Sequence, residues 1–120
     1  MICALTAAGT LMLAADAFTL SWSHSVEHML WQEEWAREGT SLRLVSASVQ
    51  GSGAGIDPPE GAVLRDGAYR WTPDLPPVPE LALAASGATG EGWTLCADGI
   101  CHEVGAQPAS PVIVRACDAG

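Results

Sequence analysis

The sequence contains no lysine. Its five basic residues are all arginine, set against fourteen acids, and the formal charge is −9. A chain this acidic repels phosphate backbones, so nucleic acid and anionic membrane surfaces are disfavoured partners. Long apolar runs are also missing. Residues 1–15 are uncharged but contain Thr6, Gly9 and Thr10, and a spanning helix needs about 20 apolar residues. No transmembrane segment is expected. No arginine precedes Arg37, so the positive start of a signal peptide is lacking, although Ala15-Asp16-Ala17 is a loose small-x-small site. Without a clear signal peptide, the cytoplasm is favoured over the periplasm. Charged residues are scarce (16%) and apolar ones plentiful (48%), which excludes a disordered chain. At 120 residues the length suits a single domain, 1–120, with one real core.

What is present reads as strand. Phe18 to Val26 alternates large residues at even positions with Thr or Ser at odd ones, the two-residue period of a half-buried strand. His24 falls in the apolar register with Trp22 and Val26, so an inward His24 held by Glu27 or a serine is expected. Met29, Trp31 and Trp35 then fall on odd positions, and a bulge or bend near Glu27-His28 would account for the change of phase. Residues 25–38 also fit a helix capped by Ser25 and ended by Gly39, but the strand phase entering the segment favours a strand. A hairpin is read at Ile2–Thr6 and Leu11–Ala14. Further strands are read at Leu42–Val49, Ala62–Leu64, Ala68–Thr72, Leu81–Ala84, Trp93–Cys96, Ile100–Val104 and Pro111–Cys117. Asp66-Gly67 and Asp98-Gly99 are hairpin turn signals. Turns at this regular spacing predict an all-β fold, an antiparallel β-sandwich or a partly open β-barrel. The five Trp are read as core by default and as a stacking platform in the sharper alternative. Glu33-Glu34 and Glu38 are read as a solvated face.

Three patterns bear on chemistry. Cys96 and Cys101 flank a turn, so their sulfurs can face each other as a disulfide or pack as two thiols. Four cysteines allow three full pairings, and a four-cysteine zinc spacing is absent. His24-Ser25-Val26-Glu27-His28 spells H-x-x-E-H, which on a helix holds zinc with the glutamate as general base. Such a site needs a third ligand, for which Glu103, His102 and Glu91 are candidates. On a strand, residues four apart are separated by roughly 13 Å, which opposes that reading. Gly51-x-Gly53-x-Gly55 follows a strand, as phosphate loops do. Ile56-Asp57-Pro58-Pro59 after it opposes a helix start, and no lysine serves a phosphate. A long turn or a ligand loop is the alternative. No calcium loop is present, and no cofactor is implied.

Taken in order, Phe18-Thr19-Leu20-Ser21-Trp22-Ser23-His24-Ser25-Val26-Glu27, Trp31-Gln32-Glu33-Glu34-Trp35, Gly51 to Gly55, Leu75-Pro76-Pro77, Leu81-x-Leu83, Ser86, Trp93-Thr94-Leu95-Cys96 and Cys101-His102 are similar to the family called domain of unknown function 1850. The resemblance covers nearly the whole chain. It matches the family's H-S-V-E core at His24, Ser25, Val26 and Glu27 and its G-A-G loop at Gly53, Ala54 and Gly55; His28 lies outside the shared core. Members are often encoded beside TRAP transporters of the TAXI type, which move small organic anions. The resemblance therefore implies an accessory role near such a transporter, with its subunits as partners, and no established activity. The favoured reading is a non-enzymatic accessory or small-ligand-binding protein with a ligand site at His24, Ser25, Glu27, Gly53 and Gly55. The alternatives are a small metal-dependent hydrolase using His24, Glu27 and His28 with Glu103, and a purely structural interaction domain.

Overall fold

Two-residue alternation organises the chain from end to end, and it places the large apolar side chains on the facing sides of two sheets. The computed structural model describes residues 1–24, 29–50, 60–85 and 92–118. Within them the chain forms eleven strands: β1 (Ile2–Thr6), β2 (Gly9–Leu13), β3 (Ala17–His24), β4 (Met29–Glu38), β5 (Ser41–Gln50), β6 (Val63–Arg65), β7 (Ala68–Trp71), β8 (Leu81–Ala85), β9 (Trp93–Ala97), β10 (Ile100–Val104) and β11 (Ala109–Ala116). The larger sheet has the order β10-β9-β3-β4-β5-β7-β6, and the smaller has the order β2-β1-β11-β8. All pairings are antiparallel. The two sheets stack as a sandwich that is not closed into a barrel.

The small sheet supplies Ile2, Ala4, Leu13, Leu83, Val112 and Val114 to the core, and the large sheet supplies Phe18, Leu20, Trp35, Leu42, Leu95, Ala97 and Val104. Ile2, Ala4, Leu42, Leu95 and Val114 are completely removed from solvent. Burying a side chain of the Leu or Ile class stabilises by about 1.5–3 kcal/mol. Asp66-Gly67 and Asp98-Gly99 turn the two short hairpins with positive φ at both residues (53° and 80°, 52° and 78°). That is the backbone a two-residue turn needs to match the twist of its strands.

The change from even to odd phase accompanies the antiparallel pairing of β3 with β4. His24 pairs with Met29 and Trp22 with Trp31, so each inward pair sums to an odd number and the parity must invert. β3 ends at His24 and Met29–Glu38 is a strand; the proposed bulge at Glu27-His28 itself lies outside the described residues. A bulge does occur elsewhere. Glu34 pairs with Ser46 but Trp35 with Leu44, leaving Val45 as the extra residue, 43% exposed. It lets Leu42 and Leu44 before it, and Ala47 and Val49 after it, all face inward.

One expectation is corrected, that of the acids read as one solvated face. Glu34 pairs with Arg70 at 2.9 Å and Glu38 with Arg43, both at the surface. Glu33 shares its row with Leu20 and Ala47, both buried, and so it stands on the inner face, half-buried.

The ends of the described chain are fastened to each other. Cys3 bridges Cys117, and the Arg37 guanidinium donates to the carbonyls of Met1 (3.4 Å) and Cys117 (3.1 Å). Cys96 bridges Cys101, its direct partner across β9 and β10. The bridges close loops of very different length, with sequence separations of 114 and 5. In the chain-entropy account, replacing Cys3 and Cys117 together by Ser costs about 5 kcal/mol, and the same change at Cys96 and Cys101 about 2 kcal/mol. Urea unfolding of the two double variants checks the order; a larger loss at the short loop would contradict it.

Candidate functional site

The pleat of the large sheet lines up side chains across strands. On the inner face one row runs Trp22, Trp31, Val49, Tyr69 and Leu64 through β3, β4, β5, β7 and β6. Trp93 of β9 extends it on the other side, its ring 4.9 Å from that of Trp22. Trp22 and Trp31 are stacked at 6.3 Å with nearly parallel planes. The next row is Leu20, Glu33, Ala47 and Trp71. The row beyond it holds Phe18 and Trp35, again stacked, at 6.5 Å. Trp22, Trp31, Trp71, Trp93 and Glu33 are all half-buried, whereas Trp35 is buried. The Trp93 indole N–H donates to the Ala84 carbonyl at 2.9 Å, tying the row to β8 of the small sheet.

Glu33 is the unusual member. Trp35 donates its indole N–H to Glu33 Oε1 at 3.0 Å. Burial pushes the carboxyl above its ordinary value of 4.5, and the Trp35 hydrogen bond opposes that rise only in part. Among the described residues no cation pairs with it. A carboxylate among tryptophans without a counter-ion is a feature of sites, since burial without pairing is costly. Reading the sequence as adjacent acids missed it. The signal was parity: Glu33 shares odd numbering with Met29, Trp31 and Trp35.

The predicted site residues fall mainly beyond view. His24 closes β3 by its backbone; Ser25, Glu27, His28, Gly53, Gly55 and Glu91 lie outside the described residues. Their flanks can be placed. His24 pairs with Met29, Gln50 pairs with Leu30 and with Ala68, and Trp93 stands beside Trp22. The described flanks His24, Met29, Gln50 and Trp93 therefore all lie at the tryptophan-bearing end of the large sheet. His102 and Glu103 lie away from it on β10, at the sheet edge. Together with Thr6, Leu11 and Val112 they line a cleft of about 400 Å³ between the sheets. His102 is half-buried and Glu103 exposed. A larger hollow of about 860 Å³ lies beside Arg65, Arg70, Trp71 and Leu75. Among the described residues no group of three His, Cys, Asp or Glu is arranged to hold a metal ion, and no helix is long and apolar enough to cross a membrane.

Fold and site together define an all-β sandwich domain whose larger sheet carries a tryptophan row and an inward carboxylate at one end. The model of the family described as Domain of unknown function (DUF1850) matches residues 18–104, and the chain belongs to that family. The matched span takes in the large sheet almost entirely and β8, while β1, β2 and β11 of the small sheet lie outside it. No curated protein and no solved structure matches the chain.

The position of Glu33 has a consequence for stability. A carboxyl raised in the folded state binds its proton to higher pH there than in the unfolded chain. The folded state then holds more protons above pH 4.5, so stability falls as pH rises through the raised value. Glu33→Gln keeps an acceptor for the Trp35 N–H and removes the ionisation. Urea midpoints measured from pH 4 to 8 should show the variant gaining on the parent chain as pH rises; a constant difference would contradict an inward Glu33.

Proposed function

We propose that this chain is a non-enzymatic accessory domain that binds a small organic ligand and works beside a TRAP-type transporter of the TAXI kind. One observation carries the ligand-binding part. The flanks of the H-S-V-E and G-A-G segments lie at one end of the large sheet, and half-buried Trp22, Trp31 and Trp93 stand at that end. Concave sites lined by aromatic groups with a few polar ones suit small ligands, and segments carried on a rigid sheet are where binding residues concentrate. The residues of the site are taken to be His24, Ser25, Glu27, Gly53 and Gly55. The transporter link rests on the family's habit of being encoded beside such transporters.

The hydrolase alternative has less support. Glu103 sits in the row of Thr94 and Ser21, two strands from β3 and three residues short of His24. The two Cα positions are then about 14 Å apart, which leaves little room for both side chains to reach one zinc at about 2 Å. An oxidising compartment is part of this proposal, supported by the bridging of all four cysteines.

Co-purification tests the proposal. The tagged full chain, expressed with the subunits of a TAXI-type TRAP transporter, is expected to retain those subunits in stoichiometric amount through affinity and size-exclusion steps. Recovery of the chain alone, with the transporter intact in the flow-through, would overturn the accessory reading.

A further inference from the structure

Four of the five tryptophans surround one carboxylate. Trp31 and Trp35 stand two residues to either side of Glu33 on the same face of β4, Trp22 lies diagonally across β3, and Trp71 ends the same row on β7. Neighbours at these spacings on a sheet face are about 7–10 Å apart at the backbone, within reach of indole rings. Glu33 keeps Oε2 free of any described partner, because its recorded hydrogen bond is made by Oε1. The arginines are engaged or distant: Arg37 holds backbone carbonyls, Arg43 pairs with Glu38 and Arg70 with Glu34, and Arg65 and Arg115 are exposed. A neutral amide would serve the Trp35 N–H equally well without the desolvation cost of an ion. Among the described residues no cation neutralises that charge.

We infer that the face around Glu33 binds a small organic cation, an ammonium head group held by the Glu33 carboxylate and the faces of Trp31 and Trp22. This rests on the ligand-binding reading above and names the chemistry of the ligand. Indole is the best aromatic partner for a cation, and a partly desolvated ring strengthens the attraction. The carboxylate supplies the opposite charge in a setting drier than water. The net charge of −9 draws cations towards the domain and repels anions.

Titration calorimetry on the full, oxidised chain tests this with three probes: choline, its uncharged isostere 3,3-dimethylbutan-1-ol, and propionate. Choline is expected to bind one to one and about tenfold more tightly than the isostere. Glu33→Gln should remove that tenfold preference while leaving the near-ultraviolet circular dichroism and the binding of the isostere as they were. Trp31→Leu should weaken choline several-fold. Equal affinity for choline and the isostere, or variants that bind choline as the parent does, would overturn the cation assignment while leaving a ligand site in place. Saturable propionate binding without choline binding would overturn it in the same way. Binding of none of the three would overturn the assignment and remove the support it lends to ligand binding, leaving the accessory role to the co-purification result.

Discussion

The register of β3 against β4 is the constraint on which the rest of this domain depends. Trp22 opposes Trp31, Leu20 opposes Glu33 and Phe18 opposes Trp35. A slip of one residue would turn the inward set of one of the two strands to the outer face. The core would then lose either Phe18 and Leu20 of β3 or Trp35 of β4, and the tryptophan row would break. Stacking at 6.3 and 6.5 Å between two of these cross-strand pairs adds to burial in holding the register, since paired aromatics each contribute about 0.5–1.5 kcal/mol beyond the area they bury. The inward position of Glu33 is a consequence of the same register. It occupies a place in the row that must face the core once its neighbours do.

The small sheet acts on this register from above. β11 pairs with β1 on one side and β8 on the other, bringing the two ends of the described chain together. Cys3–Cys117 and the Arg37 guanidinium fasten that junction, the latter reaching from β4 of the opposite sheet. At the other end of β4 the fastening is lighter: the Trp93 N–H on Ala84 connects the sheets next to the aromatic row. The tightly joined end and the tryptophan-bearing end are thus opposite ends of the same strands. The family match covers the large sheet almost whole and omits most of the small one.

Much of this was legible in the residues. Alternation from Phe18 onward, the two Asp-Gly turns and the spacing of the strands lead to an antiparallel sandwich or partly open barrel, because each is a local preference that the fold obeys; the pairing of the strands decides for the sandwich. What was not legible depends on pairing. The parity change after His24 looks like a bulge or bend when the segment is read as one strand and follows from antiparallel pairing once His24 is seen to face Met29. The bulge at Val45 leaves no mark in composition, since it is set by which β4 residue each β5 residue meets. Glu33 and Glu34 are identical neighbours. Only the face assigned to Trp31 and Trp35 separates a solvated acid from an inward one. The partner of Cys3 is 114 residues away, a distance over which sequence carries no pairing information. Of the ligand residues proposed from the sequence, the flanks are brought to one end of the sheet; of the tryptophans read as core by default, Trp35 is in the core and Trp22 and Trp93 pack against it, while Trp22, Trp31 and Trp93 stand half-buried at that end.

Carbon-13 detection of the Glu33 carboxyl through a pH titration, assigned by comparison with Glu33→Gln, tests the central claim most directly. An inward Glu33 facing the tryptophans predicts a midpoint above the ordinary 4.5 that falls when choline is added, because a bound cation favours the ionised form. A midpoint at or below 4.5, unmoved by choline, would show a solvated acid and would contradict both the inward register and the site built on it.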